Sequence, residues 1–349
     1  MGKFRIKNPP NPLSQGGNNK RKMTKKILVT GGAGFIGSNF IHHVLKNRDW
    51  EVVNFDLLTY AGNLANLKDV EDLPNYKFVQ GDIADKEFIF DLFSREKFDG
   101  VINFAAETHV DRSIEDSSPF IQTNIVGTHV LLEATRKFEV PRYHQVSTDE
   151  VYGDLGDNSR DFFTEETPLA PNCPYAAAKT SADLLVKSWH ETYGIFATIS
   201  RCSNNYGPYQ FPEKLIPFFL FRAMKNEDLT LYGDGKNIRD WLYVLDHCEA
   251  ILNIFENSPA GEVWNIGGHN EKTNLEITNL ILKHTNSKSQ IKFIEDRKAH
   301  DRRYAIDASK ISRELGWTPK HTFEEALPLT IEWYLNNKDW VESCRAKVK

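Results

Sequence analysis

Cysteine is scarce. Cys173, Cys202, Cys248 and Cys344 are the only four in 349 residues, with no CxxC pair and no histidine–cysteine cluster at metal-ligand spacing. That sets aside a structural zinc site or any other metal, argues against a disulfide framework, and fits a reducing compartment. Long apolar runs are also missing. Although 40% of the residues are hydrophobic, no stretch approaches the roughly 18 consecutive apolar residues of a membrane-spanning helix. Charge of one sign is in short supply too: 43 Lys and Arg against 48 Asp and Glu leave a net charge of -5. There is thus no basic field to draw in nucleic acid. Residues 1–23, MGKFRIKNPPNPLSQGGNNKRKM, lack the apolar segment of a secretory signal. They read as a disordered extension or added leader ahead of a natural start at Met23, with KRK as solvated charge. The expectation is a cytoplasmic protein, long enough for one large core or two moderate ones.

What is present alternates. KKILVTGGAGFIGSNFIHHVLKN reads as a short buried strand, Ile27 to Thr30, then a glycine-rich turn and an amphipathic helix. EVVNFD, YKFVQGDI, FDGVINFAAE and RYHQVSTDE are further strand-like runs, with the helical DKEFIFDLFSREK and IQTNIVGTHVLLEATRKF among them. Strands separated by helices predict crossover units and a parallel sheet covered on both faces. Beyond Gly207 the pattern loosens into short strands, proline and aromatics. The predicted fold class is α/β: a Rossmann-type doubly wound parallel sheet over 24–203, and a smaller, partly interleaved C-terminal substrate-binding lobe over 204–349. Some segments of that lobe are expected to return to the first domain.

The turn TGGAGFIG spaces Gly31, Gly34 and Gly37 three apart, and Gly32, Gly34 and Gly37 fit GxGxxG. Between a strand and a helix, such glycines let the backbone approach a pyrophosphate, which then faces the free N–H groups of the helix N-terminus. Asp56 ends the next strand, 19 residues past Gly37. A carboxylate there accepts bonds from a ribose and repels a 2′-phosphate, which favours NAD over NADP. Asp82 and Ile83 end the third strand, within reach of an adenine; a turn-capping aspartate is the competing reading of Asp82.

Two further patterns carry chemistry. In VSTDEVYG an apolar strand stops at Thr148, Asp149 and Glu150, two adjacent carboxylates that a purely structural reading would give to solvent. In PYAAAKTSADLLVKSWH a helix starts after Pro174 and sets Tyr175 and Lys179 four apart, on one face. An ammonium beside a phenol favours phenolate, so the tyrosine is expected to act as a base near neutral pH.

With TGGAGFIG, NFAAETHVDRSI, STDEVYG, PYAAAK and NNYGPYQFPEKLIP together, the chain resembles the extended short-chain dehydrogenase/reductases from about Lys26 to about Leu335. Within them it is similar to the dTDP-glucose 4,6-dehydratase branch. TDE is the discriminating element, because the 4-epimerase relatives lack the acidic pair. The resemblance implies NAD held by Gly31, Gly34, Phe35, Ile36, Gly37, Asp56, Leu57, Thr59, Asp82, Ile83, Ala105, Ala106, Thr123, Ser147, Tyr175, Lys179 and Asn205. It implies a dTDP-glucose substrate against Thr108, His109, Thr148, Asn204, Lys214, Leu215, Tyr232, Arg239, Asn274, Arg297 and His300. Carbon 4 of the hexose is oxidised with Tyr175 taking the hydroxyl proton, and the 4-keto group acidifies carbon 5. Glu150 is then the base at carbon 5 and Asp149, protonated, the acid at the 6-hydroxyl, before hydride returns to carbon 6. Close like charges in a partly dry pocket raise one pKa and so make the acid. His109 as a packed histidine and Arg239 as a surface ion-pair partner are the competing readings.

One departure stands out: Lys298 and Ala299 replace the Pro-Gly usual in the family, which bears on Arg297 and His300. Thymine and uracil differ by one methyl group, worth about 1 kcal/mol of burial, and no residue read here separates them. A UDP-sugar 4,6-dehydratase or a 4-epimerase is the rival enzyme, and a redox-sensing binding protein the rival outside catalysis. A homodimer is expected, since the helices following Gln122 and Tyr175 carry apolar residues on more than one face.

Overall fold

The computed structural model describes residues 24–156, 160–296 and 300–345. The leader, Arg297, Lys298 and Ala299 lie outside the described residues. Among the described residues twelve strands run in chain order as β1 (Lys26–Thr30), β2 (Glu51–Asp56), β3 (Tyr76–Gln80), β4 (Gly100–Asn103), β5 (Tyr143–Thr148), β6 (Ala197–Cys202), β7 (Asn204–Tyr206), β8 (Leu229–Tyr232), β9 (Ile238–Tyr243), β10 (Val263–Ile266), β11 (Glu271–Thr273) and β12 (Ile291–Ile294). Seven of them form one parallel sheet in the order β10-β6-β5-β4-β1-β2-β3. Strands β1, β2, β4, β5 and β6 are buried along nearly their whole length, as a sheet covered on both faces requires.

The helices are α1 (Phe35–Asn47), α2 (Lys86–Glu96), α3 (Val110–Glu115), α4 (Ser118–Phe120), α5 (Thr128–Lys137), α6 (Pro174–Tyr193), α7 (Leu215–Met224), α8 (Val244–Asn257), α9 (Asn274–Thr285), α10 (Ser309–Leu315), α11 (Phe323–Asn336) and α12 (Lys338–Arg345). Two apolar clusters sandwich the sheet. One joins α1 and α8 through Phe40, Ile41, Val44, Ile251 and Phe255. The other joins α2, α5 and α6 through Ile89, Phe93, Leu131 and Val186. A third core, around Tyr206, Phe219, Trp241, Phe323 and Tyr334, holds the C-terminal helices to a three-stranded sheet β11-β9-β7. Helix α8 and strand β10 come from the C-terminal half of the chain yet pack into the large sheet. The strand order reverses beside β1, which lies between β2 and β4, and in open parallel sheets that crevice is where ligands bind.

Candidate active site

Beyond the carboxyl ends of β1, β2, β4, β5 and β6 lies a cavity of about 320 Å³. Its floor is the glycine turn. Gly31 has φ +67°, a left-handed value, and a Cβ there would sit 2.6 Å from the Ala105 nitrogen. A Cβ on Gly37 would meet the Gly31 carbonyl oxygen at 2.3 Å. Only glycine satisfies both contacts. Helix α1 opens directly behind this turn with no side chain capping its N-terminus, so its N–H groups face the cavity. Asp56 closes the far end. Its carboxylate accepts the Ala33 N–H at 2.9 Å and the Leu58 N–H at 2.8 Å. Burial pushes its pKa up and the two N–H groups pull it back down. Asp82 caps its own turn through the Ala84 N–H, as the competing reading has it, and also lines the cavity. The chain enters α5 through a π-helical segment, Ile121–Gly127, that brings Thr123 to the cavity. Asn124, in the same segment, bonds both the N–H and the C=O of Glu107.

Every residue expected at the cofactor lines this one cavity: Gly31, Gly34, Phe35, Ile36, Gly37, Asp56, Leu57, Thr59, Asp82, Ile83, Ala105, Ala106, Thr123, Ser147, Tyr175, Lys179 and Asn205. Several buried polar atoms without a hydrogen-bond partner among the described residues also belong to it: Ser147 Oγ, Asp149 Oδ2, Ser203 Oγ, Asn204 Oδ1 and Gln210 Oε1. Buried polar groups ordinarily find partners. A cavity so lined fits a ligand rich in hydroxyls and phosphate oxygens, as a dinucleotide and a sugar are.

The reactive groups gather where β5 ends. Thr148 terminates the strand, and its Oγ1 accepts the Glu150 N–H at 3.3 Å, starting the tight turn Asp149–Tyr152. That turn separates the two carboxylates. Asp149 points inward and is 1% exposed, whereas Glu150 is half-buried. Burial, and then the Glu150 charge, raises the Asp149 pKa well above the carboxylate range; Arg239 and the Thr148 hydroxyl oppose this only in part. Helix α6 begins at Pro174, a residue whose missing N–H costs nothing at that position. It presents Tyr175 and Lys179 to the same cavity.

The Lys179 ammonium donates to the Val146 carbonyl at 2.7 Å. Burial, and then the Glu150 charge, holds the Tyr175 phenol pKa well above its ordinary value, and the Thr148 hydroxyl opposes this. Burial likewise lowers the Lys179 pKa, against the charge of Asp183 one helical turn on.

The expected sugar-nucleotide residues divide. Thr108, Thr148, Asn204 and Lys214 line the cavity; His109, Leu215, Tyr232, Arg239, Asn274 and His300 do not. Lys214 donates to the Thr108 carbonyl at 3.3 Å and so draws the C-terminal lobe across the cavity mouth. His109 caps α3 and approaches Glu213 at 3.8 Å, and it is only partly buried. Arg239 is buried at 6% exposure. It donates to the Asp301 carbonyl and lies 4.3 Å from the Tyr304 ring centre, so the surface ion-pair reading fails. Tyr232 and His300 meet edge to face at 6.2 Å. The two groups are not independent, because the Glu150 charge is felt at Tyr304 and the Arg239 charge at Asp149. Sequence reasoning missed Ser203, Gln210, Phe211, Glu213 and Tyr304. Ser203 immediately precedes the strand that carries Asn204, and Gln210, Phe211 and Glu213 follow it; that adjacency was a usable signal.

Residues 28–330 match the family described as GDP-mannose 4,6 dehydratase. A dTDP-glucose 4,6-dehydratase of Shigella flexneri is 48% identical over 345 residues, covering 92% of this chain and 96% of that protein. The chain belongs to the dTDP-glucose 4,6-dehydratase family. Among solved structures, a dTDP-glucose 4,6-dehydratase from Bacillus anthracis in complex with NAD superposes with a TM-score of 0.86 at 48% identity, covering 92% of this chain and 100% of that one. A dTDP-glucose 4,6-dehydratase of Streptomyces venezuelae with NAD and dTDP bound gives 0.88 at 45%, covering 91% and 99%.

Proposed function

We propose that this protein dehydrates dTDP-glucose to dTDP-4-keto-6-deoxyglucose in the cavity between its sheet and its C-terminal lobe. The observation that carries the reading is the Thr148–Asp149–Glu150 turn. It sets an acid that burial keeps protonated beside a half-buried carboxylate, across from Tyr175. NAD, held along the glycine turn and Asp56, supplies a reversible hydride acceptor and a positive charge near the phenol. Tyr175 takes the proton of the sugar 4-hydroxyl, and Thr148 donates to the oxygen as it becomes a carbonyl. Glu150 removes the acidified proton at carbon 5. The electron pair of that bond forms the carbon 5–carbon 6 double bond while Asp149 protonates the departing 6-hydroxyl, which leaves as water; return of the hydride from carbon 4 to carbon 6, and of the proton on Glu150 to carbon 5, would complete the 4-keto-6-deoxy product. Two carboxyl groups held at different pKa values by their surroundings are what an acid–base pair needs.

We assign residues 24–203 mainly to the cofactor and 204–349 mainly to the sugar nucleotide. The diphosphate end falls to the Arg239, Tyr232, Asn274 and His300 group, because a guanidinium fork suits phosphate oxygens. The working form in this reading is a cytoplasmic homodimer. Four buried cysteines, none of them in a disulfide, support a reducing compartment, and the exposed Leu184 on α6 with Ile121 ahead of α5 supports a second subunit. Incubation with dTDP-glucose and with UDP-glucose tests the reading through the alkali absorbance of a 4-keto sugar. The expected result is strong product from dTDP-glucose. Keto product mainly from UDP-glucose would move the substrate to uridine. A galactose isomer without keto sugar would make the protein an epimerase.

A further inference from the structure

Three buried polar residues outside the cavity join the two halves of the catalytic machinery. Asp183 is 1% exposed and Arg201 5%. The Arg201 Nε donates to an Asp183 carboxylate oxygen at 2.9 Å. An Nη1 hydrogen of the same guanidinium donates to the Tyr152 hydroxyl at 3.0 Å, and that hydroxyl donates to Asn265 Oδ1 at 2.7 Å. None of Tyr152, Asp183 and Arg201 lines the cavity. Asp183 lies one helical turn beyond Lys179 on α6, the helix of Tyr175. Tyr152 closes the short turn that begins with Asp149 and Glu150. Arg201, from the intervening strand β6, thus spans from the helix of the proton-abstracting phenol to the turn of the acid and the base.

A buried ion pair is weak evidence of stabilisation, because well-packed apolar side chains of the same volume do as well or better. What this one adds is geometry: a guanidinium fork fixes the distance and angle between its two partners. The Tyr152 ring is held as well, stacked on Phe163 with centroids 5.1 Å apart and planes at 21°.

Resting on the dehydratase reading above, we propose that Tyr152 is a positioning residue, which with Arg201 and Asp183 keeps Asp149 and Glu150 in register with Tyr175 and Lys179. Cutting the link at Tyr152 frees the acid–base turn and leaves α6 in place. Oxidation at carbon 4 then continues while elimination across carbons 5 and 6 lags.

The test uses the full chain loaded with NAD and mixed with dTDP-glucose, as parent, Tyr152→Phe and Arg201→Lys. Tyr152→Phe removes one hydroxyl, and Arg201→Lys keeps the charge but loses the fork. Displacing catalytic groups by about 1 Å costs on the order of 100-fold. Both variants are therefore expected to form keto product roughly 10-fold to 100-fold more slowly than the parent. They are also expected to build up more of the near-ultraviolet absorbance of reduced nicotinamide than the parent, while retaining NAD and remaining folded at the assay temperature, although the unpaired buried groups lower the thermal midpoint. Unchanged turnover overturns the proposal. So does slowed turnover without that absorbance, or a loss of rate explained by lost NAD or by unfolding at the assay temperature. Absence of keto product from the parent would instead defeat the dehydratase reading itself.

Discussion

Asp149 and Glu150 are chain neighbours in different surroundings. One is sealed beneath the end of β5, the other is half in the cavity, and desolvation acts on the sealed one first. Loss of either is expected to slow keto-product formation by about 100-fold to 10,000-fold, the range for a positioned proton-transfer group. Glu150→Gln and Asp149→Asn, assayed with NAD still bound, check this; full turnover by either would remove its role. Folding should register the same asymmetry. The Asp149 pKa is raised in the folded chain, so the native state holds a proton that the unfolded chain releases once pH exceeds the ordinary carboxylate value. Stability from this group is present at acidic pH and is lost as pH rises through the window up to the folded pKa. Asp149→Asn is therefore expected to melt at a higher temperature than the parent at neutral pH, with the gain shrinking toward acid. Calorimetry at two pH values decides it. The sequence showed both carboxylates and the Tyr175–Lys179 spacing. It did not show that the Lys179 ammonium turns to the Val146 carbonyl, because spacing fixes a helical face and not the side-chain torsions that choose a partner.

At the scale of elements, the glycine turn and helix α1 were legible because close backbone approach leaves a mark in residue type. A Cβ on Gly37 would stand 2.3 Å from the Gly31 oxygen and 2.8 Å from the Gly32 Cα, both backbone atoms that cannot swing aside. Gly37→Ala is expected to destabilise the chain by about 1–3 kcal/mol, the usual cost of overpacking, and to weaken NAD binding. Thermal unfolding and NAD titration of the variant would show it; parent-like values in both would contradict the account. The start of α6 was equally plain from Pro174. The π-helical segment Ile121–Gly127 was not, because IQTNIVG has ordinary helical composition. Its widening coincides with a tertiary demand, the two bonds between Asn124 and the Glu107 backbone. Where the C-terminal lobe begins, strands of three to six residues mixed with loops gave no period to read.

For the whole molecule, one parallel sheet brings residues from Gly31 to Lys214 around a single cavity, while Arg239 packs on Tyr304 and Tyr232 on His300 outside its lining. Strand patterns predicted the sheet; that separation depends on how the lobe packs, which no local pattern encodes. Sedimentation at micromolar concentration is expected to show twice the 40.0 kDa chain mass, and a lone 40.0 kDa species would refute the dimer. In the proposed reaction these arrangements converge on one proton, which burial favours on Asp149. Difference infrared spectroscopy of the parent against Asp149→Asn at neutral pH observes that proton most directly. The account predicts a protonated-carboxyl band in the parent that the variant lacks. A parent spectrum in which Asp149 contributes only carboxylate bands would contradict it.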